Sequence, residues 1–206
     1  MKTKKNICVI GSGFSGLSSA TYLANKGHNV YVLEKNSKLG GRARKFSSKG
    51  FTFDMGPSWY WMPDVFEKYF DLFGKRVEDY YQLSRLDPGY RVFFKNKEII
   101  DVPAEESALY ALFESIEKGS GAKLNDFLRD AEQKYDVGIN DFVYKPSTSV
   151  AEFTSGKVIS GAFKMKLFTP FSKQVRKYFK DEKLIQLMEF PVLFLGAKPD
   201  KIPSLY

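Results

Sequence analysis

Apolar and polar residues fall in blocks whose period changes along the chain. Asn6 to Ile10 is short, β-branched and free of charge, the pattern of a strand buried on both faces of a parallel sheet. From Phe14 to Lys26, Leu17, Ala20, Leu23 and Ala24 recur at helical spacing, and Gly27 ends the run. Val30 to Glu34 reads as a second strand, which completes a strand–helix–strand unit of about 30 residues. A basic, glycine-containing loop follows to about Lys45, and Phe51 to Phe53 reads as a short strand.

Beyond Pro57 the pattern changes. Pro63 to Phe73 is helical, with Pro63 in the first turn. Residues 77–102 read as antiparallel strands that turn near Lys95, Asn96 and Lys97. Leu109, Leu112, Phe113 and Ile116 mark a helix ending near Gly119, and Leu124, Phe127, Leu128, Ala131 and Tyr135 mark another. Residues 145–162 are less regular, and a basic aromatic stretch to Lys183 precedes an apolar run from Leu184 to Leu195.

Composition narrows the class. With 43% hydrophobic and 27% charged residues, 206 residues make a folded soluble protein with one core, or one domain and part of a second. No apolar run approaches the roughly 20 residues that span a bilayer. The basic start, Lys2, Lys4 and Lys5, leads into an apolar stretch too short for a signal peptide, so a cytoplasmic location is expected. Cys8 is the single cysteine, which excludes an internal disulfide; in its strand it is expected to be a small buried hydrophobe.

The net charge of +8 is unevenly spread. Residues 1–45 hold nine Lys and Arg against Glu34 alone, and residues 156–183 hold eight against Asp181 and Glu182. The first basic block coincides with a glycine motif: Gly11, Ser12, Gly13, Phe14, Ser15, Gly16. A bare motif of this kind is weak evidence, but here it joins a strand to a helix. Gly11 permits the tight turn, Gly13 admits a pyrophosphate close to the backbone, and Gly16 lets the helix pack on the sheet. The helix start then offers free N–H groups and a positive dipole end to the phosphates. Glu34, 18 residues after Gly16, ends the second strand, where a carboxylate accepts from ribose hydroxyls and repels a 2′-phosphate, which argues against NADP. The loop itself does not separate NAD from FAD.

The longer pattern does, by resemblance. Gly11 to Leu23, Glu34 and Lys35, then Leu39, Gly40, Gly41 and Arg42, resemble the extended fingerprint of the amine-oxidase and phytoene-desaturase flavoproteins. Phe51 to Pro57 resembles the next block of that superfamily, and Gly56, Pro57, Ser58, Trp59, Tyr60, Trp61, Met62, Pro63 and Asp64 its form in bacterial phytoene and diapophytoene desaturases. Residues 194–206, with Gly196, Lys198, Pro199 and Pro203, resemble a substrate-domain segment of the same enzymes.

The resemblance implies FAD as cofactor. The implied cofactor-binding residues are Gly11, Ser12, Gly13, Phe14, Ser15, Gly16, Glu34, Lys35, Gly41, Arg42, Gly56, Pro57 and Ser58. Gly40 and Gly41 allow close backbone approach, and Arg42 offers a planar fork of donors to phosphate. The implied fold is α/β: a Rossmann-like FAD-binding βαβ unit in residues 1–75, plus part of an α+β substrate domain in 76–206, incomplete relative to the family. The implied reaction is desaturation of an apolar polyene such as phytoene, which needs orientation and apolar walls more than a strong acid–base pair.

The residues agree with that economy. No catalytic residue is nominated, no metal-ligand cluster is present, and the single histidine, His28, reads as a solvated turn residue. The 16% aromatic content suits a hydrocarbon-lined site and equally an aromatic core. In residues 163–180, Phe163, Leu167, Phe168, Phe171, Val175, Tyr178 and Phe179 alternate with six Lys and Arg, a pattern expected of a patch on the inner face of the cell membrane, with a core helix as the alternative. Pro170 divides it into two short segments. Nothing resembles a nucleic-acid recognition motif. The expected partners are a carotenoid-type substrate, a membrane surface and a missing carboxy-terminal half in the same or another chain. Alone, the chain is expected to bind FAD poorly and to turn over no substrate. A retinol-saturase-like or other FAD oxidoreductase, or a non-catalytic remnant, are the alternatives.

Overall fold

The computed structural model describes residues 3–56, 59–138, 148 and 169–204. They fall into two compact units, Met1–Leu83 and Ser84–Tyr206.

The first unit begins with β1 (Asn6–Ile10), α1 (Phe14–Asn25) and β2 (Asn29–Leu33). β1 and β2 pair in parallel, from Asn6 opposite Asn29 to Ile10 opposite Leu33. Parallel neighbours need a crossover, and α1 supplies it. This is the expected Rossmann-like βαβ unit. Burial on both strand faces is not found. Ile7 and Val9 are half-buried on the α1 side, whereas Cys8 and Ile10 are exposed, Ile10 at 87%. Tyr31 and Leu33, their register partners, are exposed too. Period-2 geometry puts these four on one face, and no described element covers it.

β3 (Lys45–Ser48) and β4 (Phe51–Asp54) form an antiparallel hairpin. Its two-residue turn, Lys49 and Gly50, has φ of 50° and 84°, the double positive φ of a type I′ connection, which matches the twist of the strands. Phe46 and Phe53 are cross-strand partners and stack at 5.0 Å. α2 (Pro63–Asp71) starts on Pro63. Phe66 and Phe70 on this helix pack against Tyr60 at 4.8 Å and Tyr80 at 4.9 Å, and the Tyr60 and Tyr81 hydroxyls are hydrogen-bonded.

The second unit is α+β. β5 (Tyr90–Phe93) and β6 (Ile99–Val102) form an antiparallel hairpin that turns at Lys95–Lys97, as the sequence pattern predicts, whereas residues 77–89, expected to be strand, hold a 3-10 turn at Val77–Asp79 and no strand. α3 (Glu106–Ile116) and α4 (Ser120–Val137) form a helical hairpin. Its corner is held by Glu114, which accepts from the backbone N–H of Gly119 (2.8 Å) and Gly121 (3.1 Å). α5 (Phe171–Tyr178) and α6 (Glu182–Glu189) complete the core, where Phe113, Leu124, Val175, Phe179, Leu184 and Ile185 are buried. Residues 199–204 run back along the start of α5, with Phe171 N–H donating to the Ile202 carbonyl and Ser204 N–H to that of Thr169.

The aromatic face of α5 is therefore not a membrane patch. Phe171, Val175 and Phe179 are at most 8% exposed, while Lys173, Arg176, Lys177 and Lys180 face solvent. Apolar spacing of three and four is the same for a core helix and an interfacial one, and packing against α4 and α6 decides it here. Phe163, Leu167 and Phe168 lie outside the described residues.

Glu117, after α3, ties the helical hairpin to the α5–α6 junction. It accepts from the backbone N–H of Lys180 (2.8 Å) and Asp181 (2.9 Å) and from Lys123 Nζ (2.9 Å). Burial pushes its carboxyl up, but these donors outweigh it and hold the group at about 2, from an ordinary 4.5. The charge thus stabilises the fold fully above pH 4.5, and the contribution fades as pH falls toward 2. Glu117→Gln should lower stability at pH 7 by about 2 kcal/mol. In chemical denaturation, the gap to wild type should close as the pH is taken below about 3.

Candidate dinucleotide site

The site is built where β1 ends. Gly11 N–H donates to the Leu33 carbonyl (2.7 Å), which holds the end of β2 beside the glycine loop. α1 begins at Phe14, and its first internal bond runs from Leu17 N–H to the Gly13 carbonyl (2.9 Å). The N–H groups of Phe14, Ser15 and Gly16 therefore open toward the space before the helix, as the first turn of any helix leaves them. No acidic residue stands in that turn. The positive dipole end is left for an external anion.

Two glycines are required sterically. A Cβ on Gly16 would sit 2.0 Å from the Gly11 carbonyl oxygen, so only glycine lets α1 lie this close to the loop. Gly41, at φ +60°, approaches Gly13: a Cβ there would be 3.0 Å from the Gly13 Cα. Gly40 N–H donates to the Ser12 carbonyl (2.9 Å), which fastens the second loop to the first. Gly56 packs against the same loop, near the Arg42 carbonyl and Ala43. Arg42 lies exposed in a short 3-10 turn, Gly41–Ala43.

The structure thus brings Gly11, Ser12, Gly13, Phe14, Ser15, Gly16, Glu34, Gly41, Arg42 and Gly56 into one neighbourhood. Lys35 is exposed beside Glu34. Pro57 and Ser58 lie outside the described residues. His28 accepts from the Lys5 N–H in the turn before β2.

Glu34 is not a free carboxylate waiting for ribose. One oxygen accepts from the Ser12 N–H (2.9 Å) and hydroxyl (2.7 Å). The other accepts from the Asn36 N–H (2.9 Å) and side-chain amide (2.7 Å). The Ser12 hydroxyl does most to lower its pKa, followed by the Asn36 and Ser12 backbone donors, and the group is held at about 2. The glycine motif identifies Ser12 only as a loop position; its side-chain role and that of Asn36 have no sequence signal, because they depend on how two loops meet.

The described features match known proteins. A model described as an NAD(P)-binding Rossmann-like domain matches residues 9–75. The carotenoid 3,4-desaturase of Haloarcula japonica is 42% identical over 203 residues, covering 98% of this chain and 41% of that protein. The 4,4'-diapophytoene desaturase (4,4'-diaponeurosporene-forming) of Staphylococcus aureus is 36% identical over 200 residues, covering 97% of this chain and 40% of that protein. The chain is homologous to carotenoid desaturases. It spans about 40% of the length of these relatives. Among solved structures, the PF1083 protein of Pyrococcus furiosus aligns over 98% of this chain and 40% of its own, with TM-score 0.57 and 16% identity. Putrescine oxidase bound to putrescine aligns over the same shares with TM-score 0.55 and 16% identity. These two likenesses show the fold.

A desaturase homologue with this loop geometry should be intolerant of bulk at one glycine and tolerant at another. Gly16→Ala should cost about 3 kcal/mol of stability through overlap with Gly11. Gly13→Ala, whose Cβ would meet only the Gly41 Cα at 4.0 Å, should cost less than about 1 kcal/mol. Denaturant titration of both variants checks the contrast.

Proposed function

We propose that this chain is the amino-terminal, cofactor-binding part of an FAD-dependent oxidoreductase that desaturates an apolar polyene such as phytoene. The observation that carries the reading is the meeting of Gly13 and Gly41, which joins the loop carrying Arg42 to the phosphate-type loop, in a chain homologous to two carotenoid desaturases along nearly its whole length. The N–H groups of Phe14, Ser15 and Gly16 and the guanidinium of Arg42 hold the pyrophosphate. Glu34 takes the adenosine ribose, and its charge disfavours a 2′-phosphate. Ser12, Lys35, Gly56, Pro57 and Ser58 belong to the same site. When bound, FAD supplies the two-electron acceptor that removal of two hydrogens from a hydrocarbon requires.

The second unit contributes the beginning of the substrate domain. A carboxy-terminal half, in the same or another chain, completes the site. The membrane reading is retained in a changed form. Exposed Lys173, Lys177 and Lys180 favour electrostatic contact with anionic lipid on the inner face of the membrane, with the aromatics turned inward. No helix among the described residues is long and apolar enough to cross a bilayer.

Phytoene-accumulating cells that express this chain together with its carboxy-terminal half should convert phytoene to more unsaturated pigments, read by chromatography with absorbance detection. The protein purified from them should release FAD on denaturation. FAD without any change in phytoene would point instead to a retinol-saturase-like or other flavin oxidoreductase. Absence of both would leave a non-catalytic remnant.

A further inference from the structure

Glu34 stands between two donors of very different character. Ser12 is wholly buried, and its hydroxyl and N–H converge on one carboxylate oxygen at 2.7 and 2.9 Å. Asn36 is exposed, and its side-chain amide meets the other oxygen at 2.7 Å, beside its own N–H at 2.9 Å. A carboxylate offers about four acceptor sites, so these four bonds leave no acceptor direction open for a ribose hydroxyl.

We infer that Ser12 is a positioning residue that fixes Glu34 for the vicinal hydroxyls of an adenosine ribose, and that the Asn36 side chain is a displaceable stand-in for one of those hydroxyls. The inference rests on the nucleotide reading above and adds which donor stays and which leaves. Burial decides between them. Moving the Ser12 hydroxyl would strand a buried donor, whereas the Asn36 amide swings into water at little cost. Exchange of its bond for a ribose O–H is then one donor for another on the same oxygen. The Ser12 bonds remain throughout, so binding does not have to immobilise a free Glu side chain. Discrimination follows from the same clamp. A ligand without the ribose hydroxyls displaces nothing and gains nothing from Glu34.

The test is calorimetric titration of the flavin-free protein, this chain together with its carboxy-terminal half, with ADP and with 2′,3′-dideoxy-ADP. Wild type should bind ADP about threefold more tightly than the dideoxy analogue, less than the roughly tenfold of a whole new hydrogen bond to a charged group, because the ribose hydroxyl replaces the Asn36 bond. Ser12→Ala should erase most of that preference, weakening ADP more than the dideoxy analogue. Asn36→Ala should bind ADP at least as tightly as wild type. Equal losses for both ligands in Ser12→Ala would assign Ser12 to upkeep of the fold and overturn the inference. So would a tenfold loss of ADP affinity in Asn36→Ala. Equal affinity of wild type for the two ligands would remove Glu34 from ribose recognition while leaving nucleotide binding intact. No binding of either ligand would overturn the nucleotide reading and this inference with it.

Discussion

The carbonyl oxygen of Gly11 lies where a side chain at position 16 would begin. That contact sets how closely α1 approaches the end of β1, beside the hydrogen bonds that the same loop makes to β2, Glu34 and Gly40. Two successive residues of the loop, Gly11 and Ser12, make the connections. Gly11 N–H reaches Leu33, Ser12 N–H and hydroxyl reach Glu34, and the Ser12 carbonyl receives Gly40 N–H. The end of β2 and the loop at Gly40 thus converge on a turn of two residues. A larger residue at position 16 would lift the helix and lengthen all of these bonds together. The unit depends on polar ties because its burial is slight: in α1 only Ala20 is buried.

The second unit is held differently. Phe113, Leu124, Phe179 and Leu184 form a dry centre, and the polar ties lie at its corners. Glu114 closes the α3–α4 turn through backbone N–H groups, and Glu117 reaches across to Lys180 and Asp181. Asp181 caps α6 in turn by accepting from Lys183 N–H. Helix ends and chain reversals expose unpaired N–H groups, and carboxylates satisfy them more strongly than neutral acceptors do. The middle of the chain, residues 46–155, holds nineteen acidic against thirteen basic side chains, and part of that charge is therefore structural. Its charge is used to stitch corners, in contrast to the basic blocks on either side.

How much of this was legible in the sequence depended on whether the information was local. The βαβ unit was legible, because period, glycine spacing and a terminal Glu all lie within about 30 residues. So were the β5–β6 hairpin and the α3–α4 pair. The exposure of Cys8 was not, since a run such as Asn6–Ile10 looks the same whether one sheet face or both are covered. β3 escaped because its turn places Lys49 at φ 50°, a position where Asn, Asp or Gly is the usual signal. The α5 aromatics were misread for a related reason. Amphipathic spacing announces that one face is buried without saying in what. The Glu34 clamp was the least legible of all, since Ser12 and Asn36 meet only after β1 and β2 have paired. The glycine motif located the neighbourhood of the site, and its polar detail came from the fold.

Charge brings these strands together. Within residues 1–45, Glu34 is the single acidic side chain among nine basic ones, and it sits beside a helix N-terminus with no acidic residue in its first turn. In such a field a mobile carboxylate would be drawn to the nearest cation or to the helix end itself, and would occupy the place of an incoming phosphate. Four hydrogen bonds from Ser12 and Asn36 prevent this. They hold the one negative charge at the tip of β2 and leave the positive end of α1 and Arg42 unneutralised by it. The separation matters because a dinucleotide presents opposite demands a few ångströms apart, with phosphates that seek positive charge and ribose hydroxyls that seek an acceptor. In the proposed site, a single fixed carboxylate in a basic surround meets both. Its fixation, more than its mere presence, is what distinguishes this arrangement from a generic glycine-rich turn.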